Sequence, residues 1–270
     1  MRTLCSFVLM LSAFCAAADD PLIGLPLDGE EAVEFLRSAE VVGEPENFDS
    51  VAITDPLRVT LSDGQRTFRA IFKDENTLYP SFRFGNGTEV ERVRDSYKHE
   101  IAAYELDALL GLGIVPPCIE RTLFKRTGAL CMWIEDAVDE SARREKGLQP
   151  PDMDRWKNQV EQVLLFQQLI NDLDHANIRN VVSDADFRLY KVDSSMGFYD
   201  DRKLRDESQI TRFPREFLES LETLDRSLFD KRLGAWLYKG ELKALWARRD
   251  RILSLAEKRV AERGETNVLY

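Results

Sequence analysis

The sequence predicts a two-lobed α+β fold, in which a β-rich N-terminal lobe with one helix precedes a mostly helical C-terminal lobe. Two observations favour it. Alternating apolar residues bounded by turn signals dominate the first half of the chain, whereas helical periodicity dominates the second half. Between them, residues 136–152 are polar and contain Pro150-Pro151, which is typical of a linker or of the start of a helix. We therefore expect a cleft between the lobes.

Residues 1–18 have the pattern of a signal peptide. Arg2 precedes an apolar run at residues 4–14, and Ala16-Ala17-Ala18 forms an A-x-A cleavage site. The run is too short to span a bilayer, and no later segment approaches eighteen consecutive apolar residues. The sequence thus predicts an exported chain, periplasmic or secreted, with no integral membrane segment after cleavage.

Composition narrows the possible partners. The net charge of -11 and the isoelectric point of about 4.9 argue against nucleic acid and against anionic membrane surfaces. After cleavage two cysteines remain, Cys118 and Cys131, which form either one disulfide or two separate thiols. With only His99 and His175 in the chain, a zinc site is disfavoured.

The N-terminal part is predicted to contain an extension (residues 19–55) and the first lobe (residues 56–135). Residues 30–40 in the extension have the pattern of an amphipathic helix. The lobe begins with a hairpin that turns at Asp63-Gly64, followed by a loop over residues 77–94. A helix starts near Asp95-Ser96 and ends at Gly111, and a second hairpin turns at residues 126–128. The expected buried stripe of this helix is Tyr97, Ile101, Tyr104 and Ala108.

The second lobe is predicted to span residues 136–270. It starts with a helix over residues 152–171, followed by a dense polar loop, a strand over residues 187–192 and two or three helices. The expected apolar side chains of the first helix are Trp156, Val160, Val163, Leu164 and Ile170. A second apolar stripe, more typical of core than of a ligand site, comprises Trp236, Tyr238, Leu242, Leu245 and Trp246.

The dense loop is the most distinctive segment. "LINDLDHANIRNVV" contains Asp172, Asp174, His175, Asn177 and Asn180, and Asp193 follows the next strand. Oxygen-bearing side chains suit Mg²⁺, and phosphoryl transfer needs a carboxylate at the attacking hydroxyl and ligands for the metal. Asp174 then serves as the base, and Asn180 with Asp193 holds the metal from adjacent ends of one hairpin. The alternative reading is that these side chains only cap turns and satisfy backbone amides.

Lys73 is the second candidate group. It shares one strand face with Arg69 and Ile71, and the helix that follows presents Glu100. Protein kinases use a strand lysine held by a helix glutamate to place a cation on the nucleotide phosphates. A strand lysine is more often an edge residue with its amine in water, so the pair alone is weak evidence.

Taken in order, these segments resemble the atypical kinase group. The similarity rests on Lys73, "SYKHEIAAYELDALLGLGIVPPCIERTL", "LCMWIEDA", the dense loop and "LYKVDSSMGF". The group joins phosphatidylinositol 3- and 4-kinases, HipA-type toxin kinases and secretory-pathway casein kinases. The likeness is greatest to uncharacterised bacterial exported members, and it runs from about residue 56 to the C-terminus.

The resemblance implies a role for each matching residue. Lys73, with Ile71 beside it and Glu135 at the hinge, would bind ATP, and Glu100 would hold Lys73. Asn180 and Asp193 would bind Mg²⁺ or Mn²⁺. The implied activity is transfer of the ATP γ-phosphoryl group to a hydroxyl, expected to be a Ser or Thr of an exported protein, with a small-molecule hydroxyl as the other acceptor class.

Three departures from the group's pattern keep alternatives open. Asp174 lies six positions before Asn180 where the group has five, so Asp172 and His175 remain candidates for the base. The group has an arginine directly after the base, and His175 occupies that position in this sequence. Lys191 stands where an apolar residue is expected, and it either repels a metal at Asp193, neutralises Asp193, or points to solvent. The chain also has no G-x-G-x-x-G loop, since Ser62-Asp63-Gly64 is a hairpin turn.

These departures support a rival prediction, a catalytically inactive kinase-like binding module. The periplasm contains little ATP, which would favour the module, or another phosphoryl donor, in a bacterial host.

Overall fold

The structure, a computed structural model, describes residues 24–47 and 56–270. The predicted signal peptide (residues 1–18) therefore lies outside the described residues. The remaining chain forms an N-terminal sheet with helices packed on it, followed by a mainly helical part, which confirms the predicted α+β two-lobed fold.

The N-terminal sheet has five strands, all antiparallel to their neighbours. Its order is β1 (Glu40–Asn47), β2 (Leu57–Ser62), β3 (Thr67–Lys73), β7 (Arg126–Met132), β6 (Cys118–Leu123). The predicted β2–β3 hairpin is confirmed. The disulfide between Cys118 and Cys131 joins β6 to β7, so the two cysteines are paired.

Strand alternation gives the sheet two different faces. Phe68, Ala70 and Phe72 are buried against α1 (Gly29–Ser38), which confirms the helix predicted in the N-terminal extension. Asp28 caps this helix by accepting the N–H of Gly29. The opposite face, with Ile71 and Lys73, is only half-buried, and Lys73 contacts Glu100 of the second helix.

The prediction of a loop over residues 77–94 is wrong. This segment forms a hairpin of β4 (Asn76–Arg83) and β5 (Glu89–Ser96), which form a separate two-stranded sheet. Pro80 is tolerated because it lies in a two-stranded sheet and takes no part in the pairing. The strands gain their stability from apolar contacts with the C-terminal part, which include Phe84 and Val93 against Leu173 and Met196.

α2 (Tyr97–Leu110) confirms the predicted helix, with Ser96 as its N-cap and Gly111 (φ 64°) as its left-handed C-cap. The helix is buried on most sides rather than along one stripe, and Ala108 of the predicted stripe is exposed. The following hairpin turns at Phe124-Lys125, two residues before the predicted turn, because these residues adopt positive φ.

The C-terminal part contains three short strands and five helices among the described residues. The strands are β8 (Val138–Asp139), β9 (Val181–Ser183) and β10 (Leu189–Lys191), in the order β10-β9-β8. The helices are α3 (Glu140–Glu145), α4 (Met153–Ile170), α5 (Arg215–Thr223), α6 (Arg226–Leu233) and α7 (Lys239–Arg263). The segment predicted as a linker thus contains β8 and α3, and the predicted α4 and the helices near the C-terminus are confirmed.

One apolar core joins α2 to α4 and to the three C-terminal helices. Leu164 and Tyr238 are exposed, so the expectation that each belongs to a buried stripe is wrong. Because α2 shares this core, the helix that carries Glu100 is anchored to the C-terminal helices as well as to the sheet.

No helix of the described residues is long and apolar enough to cross a membrane.

Candidate active site

The amine of Lys73 lies between two carboxylates from distant parts of the chain. Its Nζ is 2.6 Å from Oε1 of Glu100, in the first turn of α2, and 2.9 Å from Oδ1 of Asp193. Glu100 also accepts the backbone N–H of Ser194 at 3.0 Å through its other oxygen. The front and back halves of the chain therefore meet at these groups, as the sequence predicts.

The charges in this cluster shift the pKa values of its members. Burial disfavours the charged form of Lys73, but Asp193 and Glu100 outweigh it and raise the pKa of the amine. Removal from bulk water acts to raise the pKa of Asp193, but Lys73, through its charge and hydrogen bond, holds that pKa well below its ordinary value, and Lys191 adds to the effect. Lys73 is therefore a cation and Asp193 an anion throughout the neutral range.

Asn180 and Asp193 lie at adjacent ends of the β9–β10 hairpin, as predicted. The N–H of Val192 donates to the carbonyl of Asn180 at 2.9 Å, and this hydrogen bond holds the two ends together. Asn180 is buried, and its side-chain amide donates to Oδ2 of Asp174 at 2.9 Å. Asn177 donates to the same oxygen, also at 2.9 Å. The base candidate and one metal-ligand candidate are thus in direct contact.

The three candidates for the base are in different surroundings. Asp174 is partly exposed, and burial, with a smaller contribution from the charge of Asp172, raises the pKa of its carboxyl despite the two asparagine hydrogen bonds. Asp172 is fully buried and forms an ion pair with Lys191 at 3.1 Å. His175 contacts the carbonyl of Asp172 through Nδ1 at 3.0 Å. Of the two carboxylates, Asp174 is the one that solvent reaches.

The expectation that Lys191 points to solvent is wrong. Its side chain is fully buried and paired with Asp172, and its amine binds the backbone carbonyl of Asp193. Its charge also helps to lower the pKa of the Asp193 carboxyl, as the alternative that it neutralises Asp193 implies. A strand lysine can be buried in this way only because a carboxylate and carbonyl oxygens compensate the loss of hydration.

Asp95, at the end of β5, is a carboxylate that the sequence reasoning missed as a site residue. It is 4% exposed, and burial raises its pKa to about 6, with a further contribution from the charge of Asp193 and an opposing hydrogen bond from Ser195. The only signal in the sequence is its place just before the helix of Glu100, and an aspartate at such a position is typical of a helix start.

Glu135 and Ile71 are the other candidates for nucleotide binding. Glu135 follows β7 at the connection between the lobes, and its buried carboxylate accepts Nε of Arg69 at 2.9 Å. Its backbone N–H and C=O pair with Gly24 at 2.7 and 3.1 Å. Ile71 lies on the cleft-facing side of β3, two residues before Lys73.

The cluster suits a divalent cation bound together with phosphates. Lys73 is one positive charge beside Asp95, Glu100 and Asp193, so the site has an excess of negative charge. Within residues 24–47 and 56–270, no three His, Cys, Asp or Glu side chains form a cage that could hold a metal ion. Mg²⁺ is commonly held by one or two protein ligands plus phosphate oxygens, which fits Asn180 and Asp193.

Comparisons with known proteins identify the fold. No protein-family profile matches the sequence, and no curated protein matches it. Hydra Fam20, solved with a sugar, matches with a TM-score of 0.65 at 16% identity, over 90% of this chain and 93% of that one. The Golgi casein kinase matches with 0.58 at 14% identity, over 88% of this chain and 78% of that one. The Helicobacter pylori proinflammatory kinase CtkA matches with 0.51 at 11% identity, over 84% and 97%. At these identities the likeness shows a fold, and it is the atypical-kinase fold that the sequence predicts.

Proposed function

We propose that this chain is an exported atypical kinase that transfers the γ-phosphoryl group of ATP to a hydroxyl. The observation that carries the proposal is the amine of Lys73 held between Glu100 and Asp193, with Asp174 and Asn180 at the neighbouring loop. Apolar packing or turn formation alone would not require a lysine from the sheet to meet a carboxylate 120 residues later in the chain.

Each candidate residue has its own role in phosphoryl transfer. Lys73 binds phosphate oxygens, and Glu100 keeps its amine in place. Asn180 and Asp193 hold Mg²⁺ or Mn²⁺, which neutralises the charge that develops on the phosphates. Asp174 orients the acceptor hydroxyl and takes its proton, a task that a raised pKa suits. Ile71 and Glu135 line the nucleotide side of the cleft between residues 56–135 and 136–270.

The acceptor is a Ser or Thr of an exported protein, or a hydroxyl of a small molecule such as a sugar. Two structural neighbours support these classes, since one is a casein kinase and the other was solved with a sugar. Export is supported by the predicted signal peptide and by the Cys118–Cys131 disulfide, which is typical of an oxidising compartment.

One observation favours the rival, a catalytically inactive binding module. Both amides in contact with Asp174 donate to the same carboxylate oxygen, which occupies part of the group that would act as base. Such a module would retain the cleft and bind a nucleotide or peptide without a metal.

Two measurements test the proposal. We expect ATP to raise the melting temperature of the wild-type protein only when Mg²⁺ or Mn²⁺ is present, and radiolabelled γ-phosphate to reach an acceptor. Asp193→Asn should abolish both effects, whereas Asp186→Asn, at an exposed position in the β9–β10 turn, should leave them unchanged. Turnover by Asp193→Asn at the wild-type rate would refute the assignment, and a metal-independent shift would favour the binding module.

A further inference from the structure

A second lysine lies beneath the candidate active site. Lys191 is fully buried, and its Nζ is 3.1 Å from Oδ2 of Asp172, which is also fully buried. These residues belong to different segments, since Asp172 opens the dense loop and Lys191 ends β10. They form an ion pair that solvent does not reach.

The amine of Lys191 has two further partners. It donates to the carbonyl of Val192 at 2.6 Å and to the carbonyl of Asp193 at 2.7 Å. Asp193 adopts a left-handed backbone conformation with φ of 56°, which is uncommon for a residue with a Cβ atom. Because Lys191 binds the carbonyls of the two peptide groups that flank the Asp193 Cα, it stabilises this conformation and thereby the direction of the Asp193 carboxylate.

Asp172 makes the corresponding contact on the other segment. Its Oδ1 accepts the backbone N–H of Asp174 at 3.0 Å, while its Oδ2 faces Lys191. One buried pair therefore reaches the backbone of the base candidate at one end and the backbone of the metal-ligand candidate at the other.

Stability alone does not account for such a pair. Replacement of a buried ion pair by well-packed apolar residues is often neutral or stabilising, because desolvation of two charges offsets their attraction. The atypical kinase group also has an apolar residue at the position of Lys191. An apolar side chain, however, cannot bind the carbonyls of Val192 and Asp193.

We propose that Asp172 and Lys191 are positioning residues that fix the placement of Asp174 relative to Asp193. The expected effect on the rate of phosphoryl transfer rests on the proposed function, whereas the expected effect on the backbone around Asp174 and Asp193 does not. The proposal also gives a reason for one departure of the sequence from the group's pattern, the lysine at position 191, and a role for Asp172 other than that of the base.

The test uses Lys191→Met, Asp172→Asn and the double variant, with Lys157→Met as the matched control. Lys157 pairs with Asp154 at 3.6 Å on the exposed surface, so its loss should change nothing. The double variant removes both charges and leaves no buried carboxylate unpaired, which keeps the test usable if Lys191→Met does not fold.

The first readout is hydrogen exchange without nucleotide. We expect faster exchange of the amides around Asp174 and Asp193 in the double variant, with the remainder of α4 and the N-terminal sheet unchanged. Wild-type exchange in both segments of the double variant would overturn the positioning role, whether or not the protein is a kinase.

The second readout separates kcat from KM. We expect the double variant to lose about 10²-fold in kcat, the size of effect that small misplacement of reacting groups produces. KM for ATP should change much less than kcat, because Lys73, Glu100 and the Asp193 carboxylate are all retained. Wild-type kcat in the double variant would overturn the catalytic part, and absence of turnover in the wild-type protein would refute the proposed function while the exchange result still decides the positioning role.

Discussion

Lys73 and Lys191 both bind Asp193, but from surroundings of opposite kinds. Lys73 contacts the Asp193 carboxylate at 2.9 Å and is 15% exposed at the cleft. Lys191 contacts the Asp193 carbonyl at 2.7 Å and is fully buried. Lys73 binds the side chain of Asp193, which a ligand would contact, whereas Lys191 binds the backbone of the same residue.

The charge balance around each lysine explains this division. Lys191 is matched by the carboxylate of Asp172, so its surroundings need no further ion. Lys73 has Glu100, Asp193 and Asp95 around it, which leaves negative charge uncompensated where solvent can enter. The buried pair is complete without a ligand, whereas the open cluster is suited to a divalent cation and phosphates.

The largest effect is expected from removing the buried lysine alone. Lys191→Met leaves the carboxylate of Asp172 buried without its counter-charge, and broken buried pairs of this kind cost about 3–5 kcal/mol of unfolding free energy. Urea denaturation of the variant and of Lys157→Met measures the difference. A loss below about 1 kcal/mol, the range of surface ion pairs, would contradict the contrast between the two lysines.

The next effect concerns the sheet that carries Lys73. Cys118 and Cys131 are 13 residues apart, and a disulfide that closes a loop of this length is worth about 3 kcal/mol. The double variant Cys118→Ala/Cys131→Ala should lose about this amount in urea denaturation. The amides around Lys191 should keep their protection from hydrogen exchange, because their contacts lie outside the sheet. Equal loss of protection in both regions would show that the lysine sites are not independent.

A smaller, pH-dependent effect tests the burial of Asp95 near Lys73. Asp95 has a pKa of about 6 in the folded protein against an ordinary 3.8, so folding favours its protonated form. This contribution is complete below about pH 4 and is lost as the pH rises through about 6. In the Asp95→Asn variant position 95 does not titrate. As the pH rises from about 4 to above 6, its unfolding free energy should therefore increase relative to that of the wild type, by about 2–3 kcal/mol at most.

Denaturation of both proteins at pH 4, 5, 6 and 7 measures that difference. Asp186→Asn, at an exposed position, provides the control. A difference that does not change with pH would show that burial does not raise the pKa of Asp95 in the folded protein.

The sequence predicts these regions unequally well, for a physical reason. The β2–β3 hairpin and α2 were predictable because period-two alternation, the Asp63-Gly64 turn and the Gly111 cap are local signals. The β4–β5 hairpin was not, since it is stabilised by Leu173 and Met196, which lie far away in the chain.

The same distinction applies to the candidate site. The spacing of Asn180 and Asp193 around a hairpin predicted their proximity correctly, because a hairpin returns the chain to its starting point. The burial of Lys191 depends on Asp172, and no local pattern links these two positions. The same holds for Asp95, whose place beside Asp193 depends on tertiary contacts.

The last prediction concerns Lys73→Met. The variant leaves the carboxylate of Glu100, which is 7% exposed, without its counter-charge, although Glu100 keeps the N–H of Ser194. Asp193 is 46% exposed and can regain hydration, so we expect a loss of about 1–2 kcal/mol of unfolding free energy, smaller than that of Lys191→Met. Its effect on ligand binding should be far larger than its effect on stability, since the cation for the phosphates is gone. Thermal shift measurements with ATP and Mn²⁺ should show no stabilisation of Lys73→Met at concentrations that stabilise the wild type. A large loss of stability with normal nucleotide binding would instead make Lys73 a structural lysine like Lys191, and the contrast between the two would disappear.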